Sequence, residues 1–268
     1  FYLAREWACA GHKVQIVAAS HSHLRSIQPK LNAAVLDENI EGVNYSWYAT
    51  PCYQDNGVGR AKNILSFLVR LWRDARELAS GFRPDAVIAS STYPMDIWVA
   101  RKIARTARAK LVFEVHDLWP LSPIELHGMS PMHPFILLCQ AAENIAYRDA
   151  DVVISMLPKV AEHMAAHGLD LKKLHIIPNG VTPEVRDPVA AELETGLASH
   201  IVMQRRAGRT VVGYAGSHGR PNALDVLLDA AAKLRKEPFA FVLVGDGFVK
   251  PSLASRVLNE GLNNVTMF

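Results

Sequence analysis

Short apolar runs that read as strands alternate with amphipathic stretches that read as helices along nearly all of this 268-residue chain. No single residue constrains the fold as strongly. Val14–Ala19, Asp85–Ser90, Lys110–Val115, Asp151–Ser155 and Leu174–Pro178 are the strand-like runs of the first two thirds, and Val43, Tyr45 and Trp47 alternate with polar neighbours as a half-buried strand does. Between them, Ile64, Leu68, Leu71, Ala75 and Leu78 keep a spacing of four and three, which predicts one amphipathic helix stopped by Gly81. A second helix opens at Pro94 and carries Ile97, Ala100, Ile103, Ala104 and Ala107 inward. Another starts near Pro134, and a short one follows Pro158. Repeated βα units imply a parallel sheet covered by helices on both faces.

The rhythm breaks between Val181 and Gly208, where Pro183, Pro188 and several acids precede Arg205-Arg206. It resumes with strand Thr210–Ala215, helix Asn222–Arg235, strand Phe239–Val244, helix Val249–Asn259 and a strand at Val265. The expected organisation is a Rossmann-like unit over residues 1–180, an interdomain linker over 181–208 with a helix around Ala190–Leu197, and a second unit over 209–268. The chain opens inside a helix, Phe1–Ala10, and halts in a strand. Both units therefore read as parts of a longer protein, the first without its first strand and the second truncated.

Half of the residues are hydrophobic and the charges are mixed, which supports a sizeable core and excludes a disordered chain. No apolar run approaches the roughly 18 residues of a membrane span. Cys9, Cys52 and Cys139 show no metal-binding spacing and read as buried thiols of a reducing compartment. The net charge is only +3, yet residues 60–110 hold eleven Lys and Arg against four acids. Arg101, Arg105 and Arg108 form a stripe on one helix there. Such a region attracts anionic lipid head-groups, phosphates or nucleic acid, or is simply a solvated face.

Strand ends are where α/β sheets bind ligands. Glu114, His116 and Asp117 stand at the end of the Lys110–Val115 run, and two acids beside a histidine there mark a candidate site, although Asp117 and Pro120 are also ordinary turn residues. Ser90-Ser-Thr-Tyr-Pro94 lies at another strand end, where its hydroxyls can cap the helix or meet a polar ligand, and capping is the simpler reading. Gly216-Ser217-His218-Gly219-Arg220 joins a strand to a helix. Glycine admits a close ligand, and the unpaired first N–H groups of the following helix, with Ser217 and Arg220, favour an anion such as phosphate. Gly245-Asp-Gly247, with Lys250 nearby, reads as a structural turn, as does Asn179-Gly180. His163 and His167 sit four apart on a short helix, but the Glu of the zinc-protease pattern is missing between them, so no metal is expected. His21 and His23 follow a strand end.

Six segments in order resemble the retaining GT-B glycosyltransferases of the large group 1 family, in the bacterial surface-polysaccharide branch. They are Tyr2–Val14, Phe113–Pro120, Ala150–Ser155, Ile176–Val181, Val212–Gly216 and Val242–Gly247. The resemblance implies two Rossmann-like domains facing one cleft, the first for an acceptor and the second for a nucleotide-sugar donor, a UDP-sugar. It implies no metal or other cofactor, because helix dipole and basic side chains stabilise the leaving diphosphate at Gly216, Ser217, Gly219 and Arg220. It places His116 against the donor sugar, with Asp117 and Glu114 orienting it, and assigns no nucleophile. The implied partners are the donor and a lipid-linked or saccharide acceptor at the cytoplasmic face of the membrane, with the arginine stripe on anionic lipid and no nucleic acid. Relatives carry Arg or Asn where Ser217 stands, a Lys near Ala223, and a C-terminal pair of donor-binding glutamates. Their absence implies that this stretch alone is inactive. Two other readings remain: a nucleotide-sugar 2-epimerase of the same architecture, and a non-catalytic GT-B-like subunit.

Overall fold

The computed structural model describes residues 1–22, 25, 27–53, 57–180 and 195–268. The chain divides into two compact units, Phe1–Thr182 and Pro183–Phe268.

The first unit begins with helix α1 (Tyr2–Cys9) and strands β1 (Gln15–Ala19), β2 (Val35–Ile40) and β3 (Val43–Tyr48). They form a sheet in the order β1-β3-β2, with β1 parallel to β3 and β2 antiparallel to it. The alternation at Val43, Tyr45 and Trp47 is a buried face, as expected. The hairpin with β2 was not anticipated, because Asp37, Glu38 and Asn39 break any apolar pattern there. In the sheet these three residues lie exposed. Glu41 (φ 50°) and Gly42 (φ 84°) make the two-residue turn, whose left-handed backbone matches the twist of the flanking strands.

Helix α2 (Val58–Phe82) buries Ile64, Phe67, Leu71, Ala75 and Ala79. It runs through Gly81, the expected stop. Arg83 takes the left-handed conformation that ends it (φ 52°), and Pro84 cannot extend a helix. Strand β4 (Ala86–Ala89) leads through a 3₁₀ turn, Pro94–Asp96, into α3 (Ile97–Ala107). Then come β5 (Lys110–Val115), α4 (Leu121–His127), α5 (Pro134–Asp149), β6 (Val152–Ser155), α6 (Ala161–Ala166) and β7 (Leu174–Ile176). Helix α4 begins directly after Pro120. Pro123 sits in its first turn, where the missing N–H has no helical partner to lose.

Strands β4-β5-β6-β7 form a parallel sheet in that order. Leu111, Phe113 and Val115 point from β5 into a core closed by Ala100 and Ala104 of α3 and by Ala142, Ala146 and Tyr147 of α5. Alanine on the helix faces lets them settle closely on the larger strand residues. Cys139 joins this core, but Cys9 and Cys52 are exposed, contrary to expectation. Cys9 closes α1, and Cys52 lies in the loop before α2, so neither reaches a core face.

In the second unit α7 (Thr195–Arg206) falls inside the expected linker, overlapping only the end of the helix placed at Ala190–Leu197. Residues 181–194 of that linker lie outside the described residues. Strands β8 (Thr210–Ala215), β9 (Phe239–Val244) and β10 (Val265–Met267) are parallel in the order β10-β9-β8. Helices α8 (Leu224–Lys233) and α9 (Lys250–Asn259) connect them. Leu228, Leu243, Leu253 and Leu262 are buried at the centre of this unit's core.

Candidate active site at the strand ends

Ala89 of β4 pairs with Phe113 of β5, so the next residues along, Ser90 just beyond β4 and Glu114 still within β5, stand side by side. His116 follows two residues after Glu114 and returns to the same side. The three side chains meet. Ser90 Oγ lies 2.5 Å from Glu114 Oε2 and 3.0 Å from His116 Nε2, and His116 Nε2 lies 3.5 Å from Glu114 Oε2.

The proton count orders this cluster. The Ser90 hydroxyl has one proton and donates it to the carboxylate, which can only accept. Ser90 Oγ must then accept from His116, which puts a proton on Nε2. The ring nitrogen left over is Nδ1. The hydrogen bond with His116 holds the Glu114 carboxyl below its usual range, against a partial desolvation that acts the other way. The same carboxylate raises His116, with the Asp96 charge adding to it.

Ser90 does not cap the helix, since no side chain caps the turn at Tyr93, and it belongs to the cluster. Asp117, expected to orient His116, accepts a hydrogen bond from Ser122 Oγ at 2.5 Å and so holds the start of α4. Trp119 packs edge-on to Phe135, and the Arg60 guanidinium lies over its ring. Beneath the Ser90 turn lies Asp96, which no pattern singled out. It is buried, and its Oδ2 accepts from the Ser91 N–H at 3.1 Å. Burial pushes its carboxyl up to about 6. His21, at the end of β1, donates Nε2–H to the Tyr53 carbonyl at 3.0 Å, and His23 lies outside the described residues.

The arginine stripe on α3 is partly neutralised. Arg101 Nε lies 2.5 Å from Asp149 Oδ2, and Arg105 Nη2 lies 3.7 Å from the same oxygen. Arg148, then Arg101 and Arg105, hold Asp149 below its ordinary range. Arg108 ends α3 in the left-handed conformation (φ 58°).

In the second unit, the turn after β8 is built on glycine. A Cβ at Gly245 would stand 2.0 Å from the Gly216 carbonyl oxygen, and one at Gly247 would stand 2.6 Å from that of His218. The Gly245-Asp-Gly247 turn therefore packs on the Gly216–Gly219 turn, backbone against backbone. Gly216 N–H donates to the Val244 carbonyl and His218 N–H to that of Asp246. The N–H groups of Ser217 and Gly219 donate to no described residue, and the exposed Arg220 forms no ion pair with one. Lys250 is committed to the carbonyls of Gly245 and Phe268. Helix α8 starts at Leu224, two residues later than expected, with Asp225 already in its first turn. His218, which sequence reasoning passed over, is wholly buried with neither ring nitrogen bonded to a described residue. Burial, then Lys250, lowers it and keeps it neutral.

Residues 2–180 match the family model of the glycosyl transferase 4-like domain. The chain belongs to that family. It is 22% identical over 269 residues to WcaI of Escherichia coli (strain K12), which carries the provisional name colanic acid biosynthesis glycosyl transferase. That match takes in 98% of this chain and 65% of WcaI, so the chain spans somewhat under two thirds of this relative. HepE of Anabaena, solved in complex with UDP and glucose, is 20% identical with a TM-score of 0.57, covering 85% of this chain and 56% of HepE. A glycosyltransferase from Rickettsia africae is 16% identical with a TM-score of 0.60, covering 99% of this chain and 62% of its own. These likenesses establish the fold as the α/β fold of GT-B glycosyltransferases. Among the described residues of this family member no helix is long and apolar enough to cross a membrane.

Proposed function

We propose that the protein is a retaining glycosyltransferase of surface-polysaccharide synthesis, which moves a sugar from a UDP-linked donor to a lipid-linked or saccharide acceptor at the cytoplasmic membrane face. The observation that carries this reading is the Ser90–Glu114–His116 cluster at adjacent strand ends, inside the segment that matches the family. An ionised Glu114 and the Ser90 hydroxyl fix the His116 ring, which presents Nδ1 to a hydroxyl of the donor sugar. A ring held in one orientation before the substrate arrives costs little reorganisation when charge develops. Glu114 is spent on that ring and is not a nucleophile.

The diphosphate rests on the Gly216–Arg220 turn. The free N–H groups of Ser217 and Gly219 point to an anion-binding nest, and Arg220 supplies the charge. No metal enters this scheme, and HepE, which was solved with UDP and glucose, supports the choice of UDP. The Arg101–Arg105 face is the part assigned to anionic lipid, with Asp149 as its counter-charge.

The test is calorimetric titration of the protein, expressed from its complete coding sequence, with UDP and a panel of nucleotide-sugars without added metal. One donor is expected to bind, to lose at least tenfold in affinity on Arg220→Ala, and to give a product whose anomeric configuration matches the donor's. His116→Ala is expected to keep UDP binding and lose transfer. A folded protein that binds no nucleotide overturns the reading, and an inverted product overturns the retaining mechanism.

A further inference from the structure

Glu143, His163 and His167 each offer a ligand atom within 4.8 Å of the other two, on helices α5 and α6 and the residue that ends α6. We propose that these three side chains bind one zinc ion, which ties α5 to α6.

Three observations carry it. The first is distance. His163 Nε2 and Glu143 Oε1 are 3.8 Å apart, too far for a hydrogen bond. Two zinc bonds of about 2.0–2.2 Å to nitrogen and oxygen span that gap through a single ion. The second is an orphan. His163 Nε2 is buried with no hydrogen-bond partner among the described residues, facing a carboxylate only 2% exposed. Leaving a buried polar atom without a partner is costly, and a bound cation removes that cost for the nitrogen.

The third is orientation. His167 Nδ1 lies 2.8 Å from the His163 carbonyl oxygen. A carbonyl only accepts, so Nδ1 carries the proton and Nε2 keeps a lone pair. A ligating histidine commonly donates its other N–H to a backbone carbonyl in this way. Glu143 is braced as well, accepting from Tyr147 Oη at 2.8 Å and from Gln140 Nε2 at 2.8 Å. The two imidazole centroids are 4.3 Å apart. Two nitrogens and a carboxylate suit zinc and leave a fourth position for water. The ion is assigned to this helix pair and to no step of sugar transfer.

The exposed thiols of Cys9 and Cys52 would capture zinc on their own, so the test is made with both replaced by serine. The 268-residue chain is stripped with a chelator and titrated with zinc chloride by calorimetry, and with cobalt(II) followed by its visible absorption. One zinc per chain, a raised melting temperature and a cobalt band typical of nitrogen and oxygen ligands are expected. His167→Gln, at a half-exposed ring, should keep the far-ultraviolet circular dichroism and lose at least tenfold in zinc affinity, with Glu143→Gln as the second variant. No cobalt band, or zinc affinity unchanged in folded His167→Gln, overturns the proposal.

Discussion

Asp96 should make the first unit less stable as pH rises from acid toward neutral, and Asp96→Asn should remove that loss. The carboxyl is 8% exposed, one oxygen accepts from Ser91 N–H, and the other has no partner among the described residues. Its folded value of about 6 stands above the ordinary 3.8 because burial penalises the charge. The folded chain thus holds this proton more tightly than the unfolded one. The stabilisation is fully present below the unfolded value and is lost as pH rises through about 6. About two units at 1.36 kcal/mol each amount to about 3 kcal/mol. Asparagine retains an oxygen for the Ser91 N–H and carries no charge, so its stability relative to wild type should grow by about 2.4 kcal/mol from pH 4 to pH 7, because at pH 4 the unfolded carboxyl is already more than half ionised. Urea unfolding followed by tryptophan fluorescence measures this unit alone, because Trp7, Trp47, Trp72, Trp98 and Trp119 all lie within it. A difference between the two proteins that stays flat over that pH range would refute desolvation as the cause.

Glu114→Gln removes the charge that favours the His116 proton, so the His116 ring signals in an NMR titration should move to a lower midpoint. In wild type that pairing stabilises the fold fully below about pH 6.5 and fades as pH rises through the raised value, and an unchanged midpoint in the variant would break the assignment. Gly245→Ala forces a Cβ to within 2.0 Å of the Gly216 oxygen at a φ of 139°, and should cost the second unit about 3 kcal/mol by hydrogen exchange in β8 and β9. Gly213→Ala, in open space on β8, should stay within about 0.5 kcal/mol, and equal effects would deny the backbone contact its role. Asp149→Asn frees Arg101 and Arg105 and should strengthen binding to anionic vesicles at low salt about fivefold, at about 1 kcal/mol per charge near the surface. Unchanged binding would remove lipid docking from the functional reading.

What the sequence made legible, and what it hid, follows from the range over which each feature is encoded. Strands β4, β5, β6, β8 and β9 are short apolar runs flanked by polar residues, and their positions are local information. The end of α2 was misplaced by one residue because Gly81 is a local signal that Pro84, close behind it, overrides. The β2 strand was hidden because its solvent-facing acids erase the apolar pattern that a strand shows when its face is buried. Glu114 and His116 stood out through their own position at a strand end, and Ser90 stood at one as well, but nothing local joined it to them. Its neighbours in the cluster lie 24 and 26 residues away, a separation set by β-pairing alone. The same holds for the helix pair: His163 and His167 share a helical face by local spacing, whereas Glu143 arrives from another helix 20 residues earlier. Pairing carries the decisive information. Sliding β4 along β5 by two residues would preserve every inward and outward face, since side chains alternate with period two. It would also leave every local pattern in the chain unchanged. Yet in the slide that brings Ile88 beside Glu114 in place of Ser90, the hydroxyl that fixes the proton on His116 would be gone.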